Sequence, residues 1–327
     1  MSVDTSPGAP GGPGARAGGN RTGVIHDLGY QRYDGPRLGR RRIIAALTWH
    51  SFRAAFGFGR GPKAKIMPVI AILALCLPAV INAFAMSQGN AQLVNYDVYN
   101  ATLRILIMTL FVAVQAPELV SRDIRSRVLP LYFSRPIRSG DYPLAKYLAF
   151  TAACLVMMEV PLLVLYGGSI ANVHGGAAVW AQTRALIPGL LIGLMWSLVL
   201  AAISLFLASL TGRRAFATGT VAIFFLLTFT LAEILLQVEH QNVIDHAQPA
   251  NGPLVAPTAS LAEKVSGLFS PFTLFDGVGR WLGGTTPSLL VPKPGGFGAV
   301  YALVLVAITV ACLAGLFTRY NRKARMS

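Results

Sequence analysis

Negative charge, cysteine and charged residues in general are scarce in this chain of 327 residues. It has 13 Asp and Glu against 28 Lys and Arg, and charged residues make up only 13% of the sequence. About a quarter of the residues of a soluble protein are charged, so this deficit argues against a soluble fold. The three cysteines, Cys76, Cys154 and Cys312, form no CxxC or Cys/His spacing, which argues against a disulfide framework and a thiolate metal site.

Motifs of enzymes and nucleotide-binding proteins are also missing. The glycine-rich segment 56–65 resembles a phosphate-binding loop, but Pro62 replaces the second glycine and Ala64 replaces the hydroxyl that binds magnesium. Neither G-x-S-x-G nor H-E-x-x-H occurs. We therefore expect no catalytic residue, no metal site and no cofactor, and predict that the chain is not an enzyme.

Long apolar runs are the feature that the chain has in abundance. A bilayer core of roughly 30 Å needs about 20 helical residues at about 1.5 Å each. Six runs meet this length, at residues 66–86, 102–120, 144–167, 185–210, 215–237 and 297–317. The sequence predicts an all-α, polytopic membrane protein with six transmembrane helices.

Lys and Arg are concentrated on alternate connections between these spans. Counting each connection with its adjacent span ends, 23 of the 28 basic residues fall on one side and 5 on the other. Because basic flanking residues are retained in the cytoplasm, both termini are predicted to be cytoplasmic, in the plasma membrane. Topology accounts for the formal charge of +15, so nucleic acid is not an expected partner. Of the five basic residues on the non-cytoplasmic side, Arg104 and Arg184 lie at span ends and are expected to reach lipid headgroups.

Composition divides the rest of the chain into flanking segments. We predict the following organisation: a disordered basic tail at 1–42, an interfacial helix and link at 43–65, the membrane domain at 66–317 with an outer segment at 238–296, and a basic tail at 318–327. Packing against another protein helix is the alternative for the helix at 43–58, since its apolar residues form two patches. In the outer segment, the apolar stretch 260–282 predicts one or two short helices, broken at Pro271, at the outer membrane interface.

Two carboxylates lie inside predicted spans. An ionised group at the bilayer centre costs at least about 2.5–3.5 kcal/mol, so Glu159 and Glu233 are each expected to face the protein interior, a partner or water. Structural hydrogen bonding and a place in a substrate pathway both remain open for them.

The most specific segment is the connection between the second and third spans, at 121–141. Arginines alternate there with large apolar side chains, a mixture that an ordinary basic loop does not need. We interpret the segment as a docking surface for a cytosolic protein. Its candidate contact residues are Arg122, Asp123, Arg125, Arg127, Leu129, Leu131, Phe133, Arg135 and Pro136.

At these positions the chain resembles the membrane subunits of type-2 ATP-binding-cassette exporters, and the stretch YDGPRLGRR at 33–41 resembles actinobacterial members. In that family a Ser-Arg pair with acidic residues follows span 2, then come a Leu-rich stretch, Ser-Arg-Pro, an aromatic residue and a lysine entering span 3. The matching residues are Ser121, Arg122, Asp123, Leu129, Leu131, Ser134, Arg135, Pro136, Tyr142 and Lys146; Arg127 and Val128 depart from the usual Gly-Thr pair.

The resemblance implies a permease subunit that forms a translocation pathway, acts in export and depends on separate cytosolic ATPase subunits. It also implies pairing, with itself or with a similar permease. Two alternatives remain open from the residues themselves. One is a proton-coupled secondary transporter that uses Glu159 and Glu233, and the other is a membrane anchor or regulator that transports nothing.

Overall fold

The computed structural model describes residue 35 and residues 39–89, 102–125, 138–247, 260–282 and 295–326. These residues form nine α-helices and two short 3-10 turns, Gly267–Phe269 and Gly295–Phe297, and they contain no strand. The helices are α1 (Arg40–Ala55), α2 (Lys63–Ser87), α3 (Thr102–Arg125), α4 (Asp141–Ala171), α5 (Gly176–Leu210), α6 (Arg214–Ala247), α7 (Leu261–Ser266), α8 (Pro271–Trp281) and α9 (Gly298–Met326). The predicted all-α class is confirmed.

Six of the described helices, α2 to α6 and α9, are long and apolar enough to cross a membrane. Each contains or closely overlaps one predicted span, and several extend beyond it. The helix α5 starts at Gly176 instead of Ala185, and α6 continues to Ala247 instead of Gln237. Hydropathy detects only the length that fits the hydrocarbon, whereas backbone hydrogen bonding continues into polar sequence on either side.

The centre of the bundle is α3. Within the described residues, 83% of its membrane-spanning window is buried, against 17% for α9. The helices α4 and α5 pack against each other, and α3 packs against both α5 and α6. Ring contacts join Phe56, Phe111 and Phe150 in one line, with centroids 6.1 and 6.3 Å apart. Aromatic packing therefore fixes the end of α1 to α3 and α4.

The helix α1 packs along α4 and also contacts α3. Ser51 and Ala55 are fully buried, while Trp49 is 61% exposed. One face of α1 thus packs against other helices of the same chain, which is the alternative that the sequence left open for this segment. It begins at Arg40, inside the segment assigned from composition to the disordered tail.

Two short helices occupy 260–282, in agreement with the apolar pattern. Ser260 caps α7 by accepting a hydrogen bond from the Glu263 amide at 3.0 Å. Ser270 caps α8, and Pro271 stands at its first position, where a missing N–H costs nothing. Phe272 and Phe275 of α8 are buried inside the protein.

The second aromatic cluster lies where α8 meets α5 and α6. Trp196 of α5 stacks on Phe275 at 4.6 Å and contacts Phe272 at 5.3 Å, and Phe225 of α6 lies 5.6 Å from Phe272. The stretch 260–282 is therefore part of the core, and its apolar side chains do not simply line a membrane interface.

Candidate functional site

The candidate docking segment joins α3 to α4, and its middle lies outside the described residues. The candidate contact residues outside the described part of the chain are Arg127, Leu129, Leu131, Phe133, Arg135 and Pro136. Their roles therefore stay predictions. The backbone of Arg122 belongs to the last turns of α3, and the side chain of Arg125 is exposed. The two ends of the segment, by contrast, are described in detail, and both are held by charged contacts.

Asp123 anchors the α3 end of this segment. Its Oδ2 accepts a hydrogen bond from the Tyr142 hydroxyl at 2.5 Å and lies 2.8 Å from Nζ of Lys146. Tyr142 is fully buried and Lys146 is 6% exposed. The Tyr142 ring also packs on Tyr320 of α9, with centroids 5.1 Å apart. A negative charge in the last turn of a helix is unfavourable to the helix dipole, and the lysine offsets it.

Asp141 anchors the α4 end. Arg40, the first residue of α1, donates from Nε to Oδ2 at 2.7 Å and from Nη2 to Oδ1 at 2.5 Å. The Arg138 amide adds a hydrogen bond to Oδ2 at 2.9 Å. A bidentate arginine–carboxylate pair fixes the relative orientation of the two side chains as well as the distance between them. The hydrogen bond with Asp141 raises the pKa of Arg40. Asp141 lies in the first turn of α4, where the helix dipole stabilises a negative charge.

A third carboxylate, Glu118, lies farther inside α3. It forms ion pairs with Arg60, from the link between α1 and α2, and with Arg214, the first residue of α6. Arg60 also donates to the Ala54 carbonyl at 2.6 Å. The contact joins three separate elements at one carboxylate. The sequence patterns did not predict this contact, although a glutamate near the end of an apolar span, close to several basic residues, could have indicated an ion pair.

Glu159 of α4 faces the interior of the bundle. Both its carboxylate oxygens are buried without a hydrogen-bond partner among the described residues. Gly193 of α5 leaves the room for them, since a Cβ there would overlap Oε1. The same Cβ position lies 3.6 Å from Nη2 of Arg104. A carboxylate and a guanidinium thus approach each other between α3, α4 and α5.

The expectation for Arg104 is wrong. Its side chain is only 3% exposed and donates to the Met158 carbonyl at 3.3 Å, so it does not extend to lipid headgroups. Its guanidinium lies 5.9 Å from the ring centroid of Trp196. The neighbouring carboxylate, Glu159, explains why the cation turns inward. Arg184, the other cation named with it, is exposed.

Glu233 lies in a different part of the bundle, on α6. Its Oε1 is buried without a hydrogen-bond partner among the described residues. Asp276 of α8 is its electrostatic neighbour. The two intramembrane carboxylates therefore have different surroundings, one beside a cation and one beside a second carboxylate.

Chemically, this arrangement holds charged side chains in fixed positions between helices. In the described part of the chain, no three or more His, Cys, Asp or Glu side chains are grouped to hold a metal ion. Comparison with protein-family models and with curated proteins gave no match for the chain. The contacts within the chain are therefore the basis on which its function is inferred.

Proposed function

We propose that the chain is the permease subunit of an ATP-binding-cassette exporter of the plasma membrane. In this proposal it acts as a dimer, with itself or a similar subunit, and binds separate cytosolic ATPases. It contributes the translocation pathway and no catalytic residue. The 121–141 segment receives the movement that ATP binding produces in the ATPases.

One observation carries the proposal. Four residues that define the resemblance make interhelical contacts at the two ends of the segment. Asp123, Tyr142 and Lys146 join α3 to α4, and Ser121 donates to the Ala208 carbonyl of α5 at 2.9 Å. A resemblance based on residue types alone does not require these side chains to meet. Their meeting supports a shared mechanical role.

The contacts provide a route for coupling. A displacement of the segment acts directly on α3 and α4, and through Asp141 and Arg40 it also acts on α1. Since α3 is the most buried span, its movement requires its neighbours to repack. ATP-driven docking needs to favour one arrangement over the other by only a few kcal/mol to shift the population.

Breaking one anchor tests the proposal. We expect Lys146→Met to keep the volume near Asp123 but remove the cation, so ATP-dependent transport should fall by roughly tenfold or more, about 1.4 kcal/mol of coupling. The ATPase should still co-purify, because Lys146 is buried and so is not itself a docking contact in this proposal. Lys65→Met, at an exposed position on α2, is the matched control. Full transport in Lys146→Met, or no co-purifying ATPase with the unmodified chain, would contradict the proposal.

The carboxylate oxygens of Glu159, which have no hydrogen-bond partner in the part of the chain that the structure describes, favour the proton-coupled transporter as a second candidate. The two functions differ in energy source. With ATP driving transport, Glu159→Gln and Glu233→Gln should leave it dependent on ATP and insensitive to collapse of the proton gradient. Transport that continues with an inactivated ATPase and stops when the gradient collapses would establish the second candidate. ATPase binding without transport under any condition would instead indicate an anchor or regulator.

A further inference from the structure

A cleft of about 540 Å³ opens where the α1–α2 link, the last turns of α3 and the start of α6 meet. Four basic residues line it, Arg60, Lys63, Arg125 and Arg214, together with one carboxylate, Glu118. This cleft is separate from the contacts of Asp123 and Asp141.

The lining carries excess positive charge. Glu118 is shared by Arg60 and Arg214, so one negative charge serves two cations. Neither Lys63 nor Arg125 forms an ion pair with any residue that the structure describes. The lining thus brings four positive charges and one negative charge together, and like charges held in one cleft repel each other unless an anion enters.

The depth of the cleft indicates where that anion comes from. Lys63 and Arg214 are the first residues of the membrane-crossing helices α2 and α6. Met67, one turn farther along α2, forms an apolar wall of the same cleft. The cations Lys63 and Arg214 therefore lie at the level where the spans begin, and apolar surface follows directly along the spans. Basic pockets at this level suit lipid headgroups.

We propose that this cleft binds the phosphate group of an anionic phospholipid. Arginine guanidinium groups match the geometry of phosphate oxygens, and Lys63 and Arg125 add charge at the rim. The acyl chains then extend past Met67 along the apolar surface of α2, where Ile66 and Ile70 are 54% and 60% exposed. The proposal does not depend on transport or on an ATPase.

The test measures lipid binding to the purified full-length chain in detergent, without any ATPase. Phosphatidylglycerol, phosphatidylcholine and inorganic phosphate are added separately, and binding is read by native mass spectrometry and by thermal unfolding. We expect phosphatidylglycerol to bind and stabilise, while the zwitterionic lipid and inorganic phosphate at the same concentration have little effect.

The variant pair locates the site. Lys63→Gln/Arg125→Gln removes two cleft cations and leaves the Glu118 ion pairs in place; it should weaken phosphatidylglycerol binding roughly 10- to 30-fold. Arg53→Gln/Arg322→Gln removes two exposed cations outside the cleft and should bind as the unmodified chain does. If the double variant misfolds, the single Arg125→Gln variant, at the exposed end of α3, is measured in its place. It should show a smaller loss of phosphatidylglycerol binding.

Three outcomes would overturn the proposal. Equal binding by the cleft and control variants would show that the cleft is not the site. Equal binding of phosphatidylcholine would exclude charge recognition. An effect of inorganic phosphate as large as that of phosphatidylglycerol would assign the cleft to a soluble anion instead of a lipid.

Discussion

At the scale of single residues, close backbone approach decides which side chains the fold tolerates. The turn between α1 and α2 passes through Gly57, whose φ is 77°. A Cβ at this position would lie 2.5 Å from the Ala64 carbonyl oxygen and 2.7 Å from its carbon. Both neighbours are backbone atoms, which cannot rotate away. Glycine is therefore required for conformation and for space.

Gly57→Ala should destabilise the protein by at least about 1–2 kcal/mol, the cost of a left-handed conformation with a Cβ, before the clash is added. Gly61→Ala is the matched control in the same link, because its Cβ would meet nothing within 4 Å and its φ is not positive. Thermal unfolding of both variants in detergent checks this. The prediction is contradicted if the two melting temperatures are the same.

At the same scale, the sequence identified the intramembrane carboxylates but not their partners. Both carboxylate oxygens of Glu159 are buried, so its side chain faces the interior of the bundle, one of the three surroundings expected for it. The prediction for its neighbour Arg104 was wrong, because an arginine side chain at the end of a span is long enough to reach either the lipid headgroups or the protein interior. The Met158 carbonyl and the nearby Glu159 carboxylate, both on α4, determine the inward direction.

At the scale of elements, the packing of α8 is what the apolar pattern left undecided. Phe272 is fully buried between Trp196 and Phe225, whereas Phe269, in the 3-10 turn before α8, is 50% exposed. The same residue type thus occupies a core position and a surface position three residues apart. This pair tests whether the outer segment belongs to the core.

Phe272→Ala should destabilise the protein by about 3–5 kcal/mol, since it leaves a cavity in the aromatic cluster, and Phe269→Ala should cost much less. Unfolding followed by tryptophan fluorescence measures both, with Trp196 as a neighbour of the cavity. A large effect of Phe269→Ala together with a small effect of Phe272→Ala would mean that the outer segment is not packed as described.

Also at this scale, hydropathy located every span but not every helix end. The segment 176–184 contains Gln182 and Arg184, and 238–247 is largely polar, yet both are helical. A helix continues as long as its backbone hydrogen bonds are favourable, and water satisfies polar side chains beyond the bilayer. Hydrophobic patterns indicate which residues lie in lipid, so they do not detect the polar ends of a helix that extend beyond the bilayer.

At the scale of the whole molecule, orientation in the membrane is the property to test. The distribution of 23 and 5 basic residues predicts that position 139 faces the cytoplasm and position 250 faces outward. In a background without Cys76, Cys154 and Cys312, an impermeant thiol reagent applied to intact cells should label Ala250→Cys and spare Ser139→Cys. Permeabilised cells provide the control, in which both should react. Labelling of Ser139→Cys in intact cells would reverse the topology.

The sequence by itself determined the class of the protein: the scarcity of charge, six apolar runs and clustered basic residues are compositional properties that act locally along the chain. The tertiary structure alone decided which charges meet. Ion pairs such as Arg40 with Asp141, or Arg60 and Arg214 with Glu118, join residues distant in sequence, so no local pattern specifies them. The same holds for the basic cleft, because helices from three parts of the chain must pack before its four cations face one space.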